Sequence, residues 1–453
     1  MEMFNTAVRY FLSFKVFVML PVLIFILALI FGIKLKNAIK SALTLGIGFI
    51  GIFTIFDFYV GIITPAVNSL VARTGFGFTV LDTGWIPLSV IAWQFHLAPV
   101  LLVIFIVLNA ALIFFKITKT IDIDIWNYWH VIFLSAMVYT VSGSSLYAVL
   151  FGTLAFVLML KLSDWSARFA SHYTGMKGIC IPHLSGLAYY PVGVVGNALL
   201  DRIPIIKTLH ADPEKMQKKI GLLGEPMIIG FIIGALLGAV AGYSFRDTSE
   251  LAVSFAGVIY ILPLMSNILG SALIPVSEGM KLFMERKFPK IGETYIGLDV
   301  AVLFGIPSVM VTMVLLIPFA LLLAFVLPGI TFIPLGDLTG LMVPVAIISL
   351  ATGGNIIRSF ILGLPVIVAN LYFATALAPL FTKMAANASY TVEGYDGIFT
   401  SFLDGGNILR SWLLYLSQGN LVAIAVLPLV VVALIITAKI SRKNEQKLDS
   451  TAV

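Results

Sequence analysis

The sequence predicts an all-α integral membrane protein with about eleven transmembrane helices, some of them broken or re-entrant. Three observations carry that expectation. Hydrophobic residues fill 60% of the 453 positions and charged residues only 11%, where a soluble domain has roughly a quarter charged. Apolar runs of spanning length recur along the whole chain, which indicates one polytopic unit and not a soluble domain with an anchor. The basic residues collect in a few polar loops, so the net charge of +6 reports topology and excludes a nucleic-acid-binding surface. The mean hydropathy of +1.06 agrees.

The elements follow in order. Residues 1–14 are amphipathic, with Phe4, Val8, Phe11 and Leu12 against Asn5 and Arg9, and suit the membrane interface. The first span is Phe17–Ile33. No small-residue cleavage site follows it, so it is expected to stay as a helix. Lys34, Lys36 and Lys40 lead to a second span, Leu43–Ile63, which contains Asp57. A polar stretch, Pro65–Trp85, separates it from the third span, Leu97–Phe115. Asp122–His130 opens an apolar run that ends at Leu160. The mixed segment Lys161–Ser185 reads as interfacial and leads to the shorter run Gly186–Leu200. Asp201–Ile220 is the most aqueous stretch, with Arg202, Lys207, Lys215, Lys218 and Lys219. Then come Gly221–Gly242, Leu251–Val276 and a basic loop with Lys281, Arg286, Lys287 and Lys290. The last spans are Ser308–Leu327, Leu335–Thr352, Ile356–Phe381 and Leu421–Ala438, followed by a basic tail.

With Val131–Leu160 taken as one helix and Gly186–Leu200 as a crossing, all the basic loops fall on one side. The positive-inside rule makes that side the cytoplasm, with the N-terminus outside and the C-terminus inside. Re-entrance of either segment would change the count. An internal echo is visible as well. Ala42–Gly46 followed by Leu81–Gly84 resembles Ser359–Gly363 followed by Leu403–Gly406, in the same orientation by this count.

In Gly221–Gly242 four glycines, Gly230, Gly234, Gly238 and Gly242, recur every four residues and leave a groove for a neighbouring helix. Pro226 suits a first helical turn. Glu225 then stands beside the positive end of the helix dipole, as a plain cap or as an acidic group at the mouth of the helix.

Other chemistry is limited. Cys180 is the single cysteine, which excludes an internal disulfide and a multi-cysteine metal site. Cys180 with His183 falls short of a zinc site. No phosphate-binding loop, H-E-x-x-H or nucleophile elbow occurs. No cofactor, no metal and no independent catalytic activity are therefore expected. A transported solute must draw its energy from a gradient or from partner proteins.

Ionisable groups at membrane depth cost about 2.5–3.5 kcal/mol each, so they tend to line polar cavities. Asp82 and Trp85 sit in Leu-Asp-Thr-Gly-Trp, either a loop turn or a site. Asp124, Asn127 and His130 are spaced by three and flanked by Trp126 and Trp129. On a helix they share a face, and such a mixture of planar donors, acceptors and rings binds sugars as readily as it forms an interfacial belt. His183 follows Pro182, Asp299 precedes an apolar run as a site or a cap, and Asn355 and Asp404 lie in glycine-rich breaks.

Several stretches together resemble a known family. They are Met19-Leu-Pro21, Gly46–Gly51, Asp82–Trp85, Asp124–His130, Gly178–His183, Gly221–Pro226, Ile296–Asp299, Leu335–Asp337 and Gly354-Asn355. In this order they are similar to the galactitol-type enzyme IIC, the membrane component of the bacterial phosphoenolpyruvate-dependent phosphotransferase system. The resemblance covers nearly the whole chain. It implies the fold of the ascorbate-type IIC transporters: a homodimer in the bacterial inner membrane, with a V-shaped scaffold domain and a mobile core domain. Here the scaffold would be roughly 15–64 and 221–276, the core 65–200 and 296–438, and the cytoplasmic tail 439–453. Transport would be elevator-like. The substrate, a polyol such as galactitol, would be phosphorylated by a separate IIB protein whose phosphocysteine is charged through IIA, HPr and enzyme I. Cys180 is not that cysteine. His130, His183 and Asp299 are the implied substrate contacts, joined by Asp82, Trp85, Glu225, Asn127 and Asn355. Val300 stands where the family pattern has proline, and Thr352-Gly-Gly replaces a basic approach to Asn355. The competing reading is a proton-coupled secondary transporter of a small polar solute, with Glu225, Asp57 or Asp299 as carrier.

Overall fold

The computed structural model describes residues 10–451 apart from 12–13, 76, 210, 212–221, 223–224, 290 and 393–394. Most of the N-terminal amphipathic stretch, and Lys215, Lys218, Lys219, Gly221, Gly224 and Lys290, lie outside the described residues.

Helices form where the apolar runs predict them. The chain starts with α1 (Val16–Ile30) and α2 (Leu35–Thr74). A short strand, β1 (Val80–Asp82), leads into α3 (Trp85–Gln94), which meets α4 (Ala98–Phe114) at 91°. β2 (Thr120–Asp122) leads into α5 (Tyr128–Ser142) and α6 (Ser145–Thr174). β3 (Ile179–Cys180) leads into α7 (Leu184–Leu187) and α8 (Tyr190–Leu200). The second half opens in the same way, with two helices and a strand. α9 (Pro226–Ala241) and α10 (Phe245–Lys287) come first, and β4 (Tyr295–Gly297) then leads through a 3-10 turn into α11 (Pro307–Val326). α12 (Met342–Ala351) and α13 (Ile356–Asn387) follow. β5 (Ile398–Thr400) leads into α14 (Ile408–Ser417) and α15 (Leu421–Thr451).

The halves are knitted together through their strands. β1 pairs in parallel with β5, and β4 pairs in parallel with both β2 and β3. Each sheet thus takes strands from both halves. The strands are two or three residues long, too short for an alternating pattern to announce them, and an otherwise all-α reading misses them. Non-helical backbone at this depth is tolerated because protein buries it.

The apolar run Val131–Leu160 is not one helix. Gly143, at φ +67°, ends α5, and the Ser144 Oγ accepts the Tyr147 N–H at 3.3 Å to start α6. Hydropathy is blind to such a Gly-Ser break. Among the described residues six helices are long and apolar enough to cross a membrane: α2, α6, α10, α11, α13 and α15. The bent α3–α4 pair would make seven. The runs expected as spans near Phe17–Ile33, Gly186–Leu200, Gly221–Gly242 and Leu335–Thr352 are apolar helices of 10–17 residues. The chain is a mostly helical, multi-pass membrane protein.

α1, α2, α9 and α10 pack chiefly on one another. α2 has 40 residues and α10 has 43, close to 60 Å at about 1.5 Å per residue, so they outrun a hydrocarbon core of about 30 Å or tilt strongly within it. The glycine ladder of α9 is one of the contacts. A Cβ on Gly234 would stand 2.8 Å from Ala252 Cα, and one on Gly238 3.0 Å from Thr248 Cα. Gly242 plays a different part, ending α9 at φ +76°. At the opposite extreme, only 11% of the spanning window of α15 is buried, which suits a lipid-facing helix.

Candidate substrate site

Each strand delivers its chain to the start of a helical segment. β1 is followed by Gly84, at φ +73°, and then by Trp85 at the head of α3. β2 leads to His130 in the first turn of α5. β3 leads through Pro182 to His183, the N-cap of α7. β4 leads to Asp299, the cap of the 3-10 turn, whose side chain accepts the Ala301 N–H at 2.7 Å. β5 leads through Asp404 to Asn407, the N-cap of α14. Because both sheets are parallel, the strand ends within each sheet point one way. Broken helices that aim their starts at one point are a recurrent way to build a solute site inside a membrane protein.

A cavity of about 90 Å³ lies at that point. His130, His183, Ser185, Asp299, Asp337 and Asp404 supply its polar wall. Trp85, Trp126 and Trp129 form an aromatic wall: Trp85 stacks on Trp129 with ring centres 6.3 Å apart, and Trp126 meets Trp85 edge-on at 5.9 Å. Phe49, Phe53 and Phe56 of α2 close the cavity from the other layer.

The polar wall is a connected chain. Arg410, buried on the faces of Trp129 and Phe133, donates from Nη2 to Asp404 Oδ1 at 2.9 Å and to Ser185 Oγ at 3.0 Å, and from Nη1 to the Asp404 carbonyl at 2.7 Å. Ser185 Oγ donates to Asp404. His130 Nδ1 lies 2.9 Å from Ser185 Oγ and 3.3 Å from Asp404 Oδ1. His130 Nε2 lies 3.0 Å from His183 Nε2.

This network assigns the tautomers. The Asp404 carboxylate, paired with Arg410, accepts only, and the Ser185 proton is already given to it. His130 Nδ1 must therefore carry the proton, which leaves Nε2 as the acceptor. His183 Nε2 then donates to His130, and His183 Nδ1 is left with a bare lone pair. That nitrogen is buried and has no hydrogen-bond partner. Trp129 Nε1 and Asp337 Oδ1, on two other cavity-lining residues, are in the same position. Buried polar atoms are nearly always paired, so these three orphans leave bonding capacity beside the cavity for a polar ligand. Together they provide one N–H donor and two acceptors beside flat rings. A molecule with several hydroxyls and exposed C–H faces matches that set.

The structure sorts the residues singled out from the sequence. Trp85, His130, His183 and Asp299 meet at the cavity. Asp82 stands behind it. Its Oδ1 accepts the Gly84 and Phe402 N–H groups at 3.2 and 3.1 Å and its Oδ2 the Asp337 N–H at 3.1 Å, so it ties three wall segments together. Asn127 does not line the cavity. A 3-10 turn at 125–127 breaks the helical spacing, and Asn127 Nδ2 donates to Asp122 at 3.3 Å instead. Asn355 caps α13, accepting the Arg358 N–H at 3.2 Å and donating to the Leu209 carbonyl at 2.9 Å, also outside the cavity. Glu225 is the N-cap residue of α9 and does not line the cavity either.

Arg410 was not legible as a site residue, and neither was Ser185. A signal for Arg410 does exist. Gly405-Gly-Asn-Ile-Leu-Arg-Ser411 nearly duplicates Gly353-Gly-Asn-Ile-Ile-Arg-Ser359. An arginine repeated inside such a motif is worth placing before any solvated loop is assumed.

Comparison with known proteins agrees with the geometry. Residues 10–396 match the EIIC-GAT family, described as PTS system sugar-specific permease component. A candidate permease IIC component of Escherichia coli K12 is 32% identical over 440 residues, covering 97% of this chain and 99% of that protein. The PTS system galactitol-specific EIIC component of the same strain is 32% identical over 412 residues, covering 91% of this chain and 90% of that protein. Its counterpart in Escherichia coli O157:H7 gives the same figures.

Proposed function

The chain belongs to the EIIC-GAT family of PTS system sugar-specific permease components, and from that premise we propose that it carries a linear sugar alcohol of the galactitol type. The observation that carries this reading is the trio of unpartnered buried atoms, Trp129 Nε1, His183 Nδ1 and Asp337 Oδ1, around one aromatic-walled cavity. The galactitol specificity in the names of two relatives supports the same substrate class.

In this reading the polyol lies against Trp85 and Trp129, with hydroxyls on Asp299, Asp337 and His183. One terminal hydroxyl donates to His183 Nδ1. As the oxygen attacks the phosphorus of the phosphorylated IIB partner, its proton passes to that nitrogen. A P–O bond forms, the P–S bond to the partner's cysteine breaks, and the thiolate leaves with the partner. Charge gained on His183 is shared through His130 with Asp404, as in other relays that end on an ionised carboxylate. Cys180 takes no part, being fully buried with its Sγ 3.5 Å from Thr120 Oγ1.

The layer of α1, α2, α9 and α10 would be the fixed scaffold of a homodimer in the bacterial inner membrane. The strand-built remainder would be the moving core, with the basic loops in the cytoplasm. Of the three carriers of the proton-coupled alternative, Glu225 and Asp57 do not line the cavity and only Asp299 does. The test is uptake into proteoliposomes with the phosphotransferase components enclosed. Galactitol phosphate should accumulate only with phosphoenolpyruvate and IIB. Uptake of free polyol driven by a pH gradient alone would overturn the proposal.

A further inference from the structure

We propose that Asp122 binds a proton in the folded protein and holds it in a carboxylic acid–amide pair with Asn127, behind the wall of the substrate cavity. Asn127 Nδ2 donates to Asp122 Oδ1 at 3.3 Å. The other oxygen of each side chain, Asp122 Oδ2 and Asn127 Oδ1, is buried and has no hydrogen-bond partner. Both residues are more than nine-tenths buried. The Asp124 N–H leans on the same carboxylate, but outside hydrogen-bond geometry at Oδ2. A carboxylate and an amide oxygen only accept, so an ionised Asp122 leaves two bare acceptors on side chains that already touch. One proton on Oδ2 turns one of the two into a donor. The pair can then close a second bond, from Asp122 to Asn127 Oδ1, and both orphans are satisfied at once.

The surroundings supply no counter-charge. The titratable groups around Asp122 are Asp124 and Tyr128 on its own segment and Cys180 on β3, while Asp299 on β4 lies beside Asp124. None of these is a cation, and among the described residues Asp122 makes no ion pair. A buried carboxylate with no cation is costly, and taking up a proton removes that cost. The backbone closes over the site. A Cβ on Gly297 would stand 2.9 Å from Asp122 Cα and 3.1 Å from its Oδ1. The Asp122 N–H donates to Asn109 Oδ1 at 3.0 Å, and the Tyr128 hydroxyl donates to the Asp122 carbonyl at 3.0 Å. A metal cation fits less well than a proton. Hard cations gather about six oxygens, and the pair leaves two free. Among the described residues no group of three or more His, Cys, Asp or Glu side chains is placed to hold a metal ion.

The placement gives the proton a consequence. In the parallel pairing of β2 with β4, Asp122 stands opposite Gly297, and Asp124 and Asp299 each follow two residues on. Asp299 lines the cavity. An ionised Asp122 would add negative charge to the end of the sheet that receives the solute. The proton confines that charge to Asp124 and Asp299.

The experiment is infrared difference spectroscopy of the full-length protein in nanodiscs at neutral pH, wild type against variant. The wild type should show the C=O stretch of a protonated carboxyl group, and Asp122→Asn should remove it. Asn127→Ser should keep that band and shift it to higher frequency, because the carbonyl loses the Asn127 N–H. Absence of any such band lost in Asp122→Asn overturns the proposal. So does a band that only Asp124→Asn or Asp299→Asn removes, which would put the proton there. Thermal stabilisation by sodium over choline in the wild type but not in Asp122→Asn would overturn it as well, and assign the pair to a cation. If Asp122→Asn does not fold, Asn127→Ser decides alone, and an unmoved carboxyl band overturns the proposal. None of these readouts uses a substrate, so the proton site stands or falls apart from the functional reading above.

Discussion

Residues 353–362 and 405–414 are nearly the same peptide placed in two settings. Both begin a helix in the same way. Asn355 and Asn407 cap α13 and α14 by accepting the N–H of the arginine three residues on, at 3.2 and 3.0 Å. Both asparagines donate onward to a backbone carbonyl, Leu209 in one case and Ser185 in the other. Both arginines are buried and hold a carboxylate. The turn before the cap is where they part. Gly353 and Gly354 are left-handed, at φ +69° and +74°, and Arg358 reaches out to Asn197 and Asp201 on a different segment. Gly405 and Gly406 are not left-handed, and their turn places Asp404 on Arg410 of the same motif. Identical local chemistry thus makes an internal charge pair within the cavity wall in one place and a half-exposed tether in the other. The surroundings, not the motif, decide which.

The largest contrast is expected at the arginine of the inner copy. Arg410→Gln strands Asp404 in a buried site, and removing one partner of such a pair costs about 3–5 kcal/mol. Thermal unfolding in detergent should show a collapse in stability, and phosphorylation should be lost. Arg410→Lys should recover little, because one ammonium nitrogen lacks the planar fork that reaches the Asp404 carbonyl from Nη1 and Asp404 Oδ1 and Ser185 from Nη2. If Arg410→Gln matched wild type in stability, the charge pair would not be what holds this wall.

Asp404→Asn probes the chain beyond the arginine. It keeps the shape but removes the ionised acceptor that fixes the His130 proton on Nδ1. The phosphorylation rate should fall by about 10²–10⁴-fold while galactitol Kd changes only a few-fold. Equal losses in both would mean that Asp404 only shapes the pocket. His183→Ala should lose rate by a similar factor, and His183→Gln should restore binding without rate.

The glycines come next. A Cβ on Gly406 would run into the Asn370 backbone, with the Asn370 Cα only 2.7 Å away. Gly406→Ala should cost about 1–3 kcal/mol through overpacking, and Asn should be no better there. At Gly354 the space is open, the nearest atom being Ser308 Oγ at 3.4 Å, and the constraint is the positive φ. Gly354→Ala should cost about 1–2 kcal/mol, and Gly354→Asn less, since asparagine tolerates that conformation. Melting temperatures of the four variants check the pattern. Equal rescue by Asn at both positions would break the distinction.

These contrasts explain how far the sequence could be read. Long helices were legible because apolar runs leave only helix as an option in lipid. The break between α5 and α6 was not, because Gly143-Ser144 interrupts no hydropathy. Trp85, His130, His183 and Asp299 were legible as polar or aromatic groups next to apolar runs. Glu225 and Asn355 gave the same signal yet lie outside the cavity. A helix cap and a ligand contact both place a polar residue at a helix start, and only the packing of other segments separates them. Arg410 was missed for the opposite reason: Asp404 is its neighbour in sequence, but Ser185 and the rings of Trp129 and Phe133 that enclose the pair come from two distant parts of the chain.

The smallest effect is expected at the outer tether. Arg358 Nη1 donates to Asp201 at 2.7 Å, and the Asp201 side chain is 53% exposed. Water screens such a pair, so Asp201→Asn should cost about 1 kcal/mol or less. Arg358 itself is buried and also donates to Asn197 at 2.6 Å, so Arg358→Gln should cost more than Asp201→Asn but less than Arg410→Gln. A double-mutant cycle of Arg358→Gln with Asp201→Asn isolates the pair, and its coupling should stay below about 1 kcal/mol. The same cycle on Arg410 and Asp404 should give a coupling of several times that size. Galactitol Kd should not move in either outer variant, because Asn197 lies in the last turns of α8 and Asp201 just past its end, with most of that helix between them and Ser185. A coupling as large as the inner one would mean that the outer pair is shielded from water in the membrane-embedded protein, and the two copies would then be energetic as well as structural duplicates.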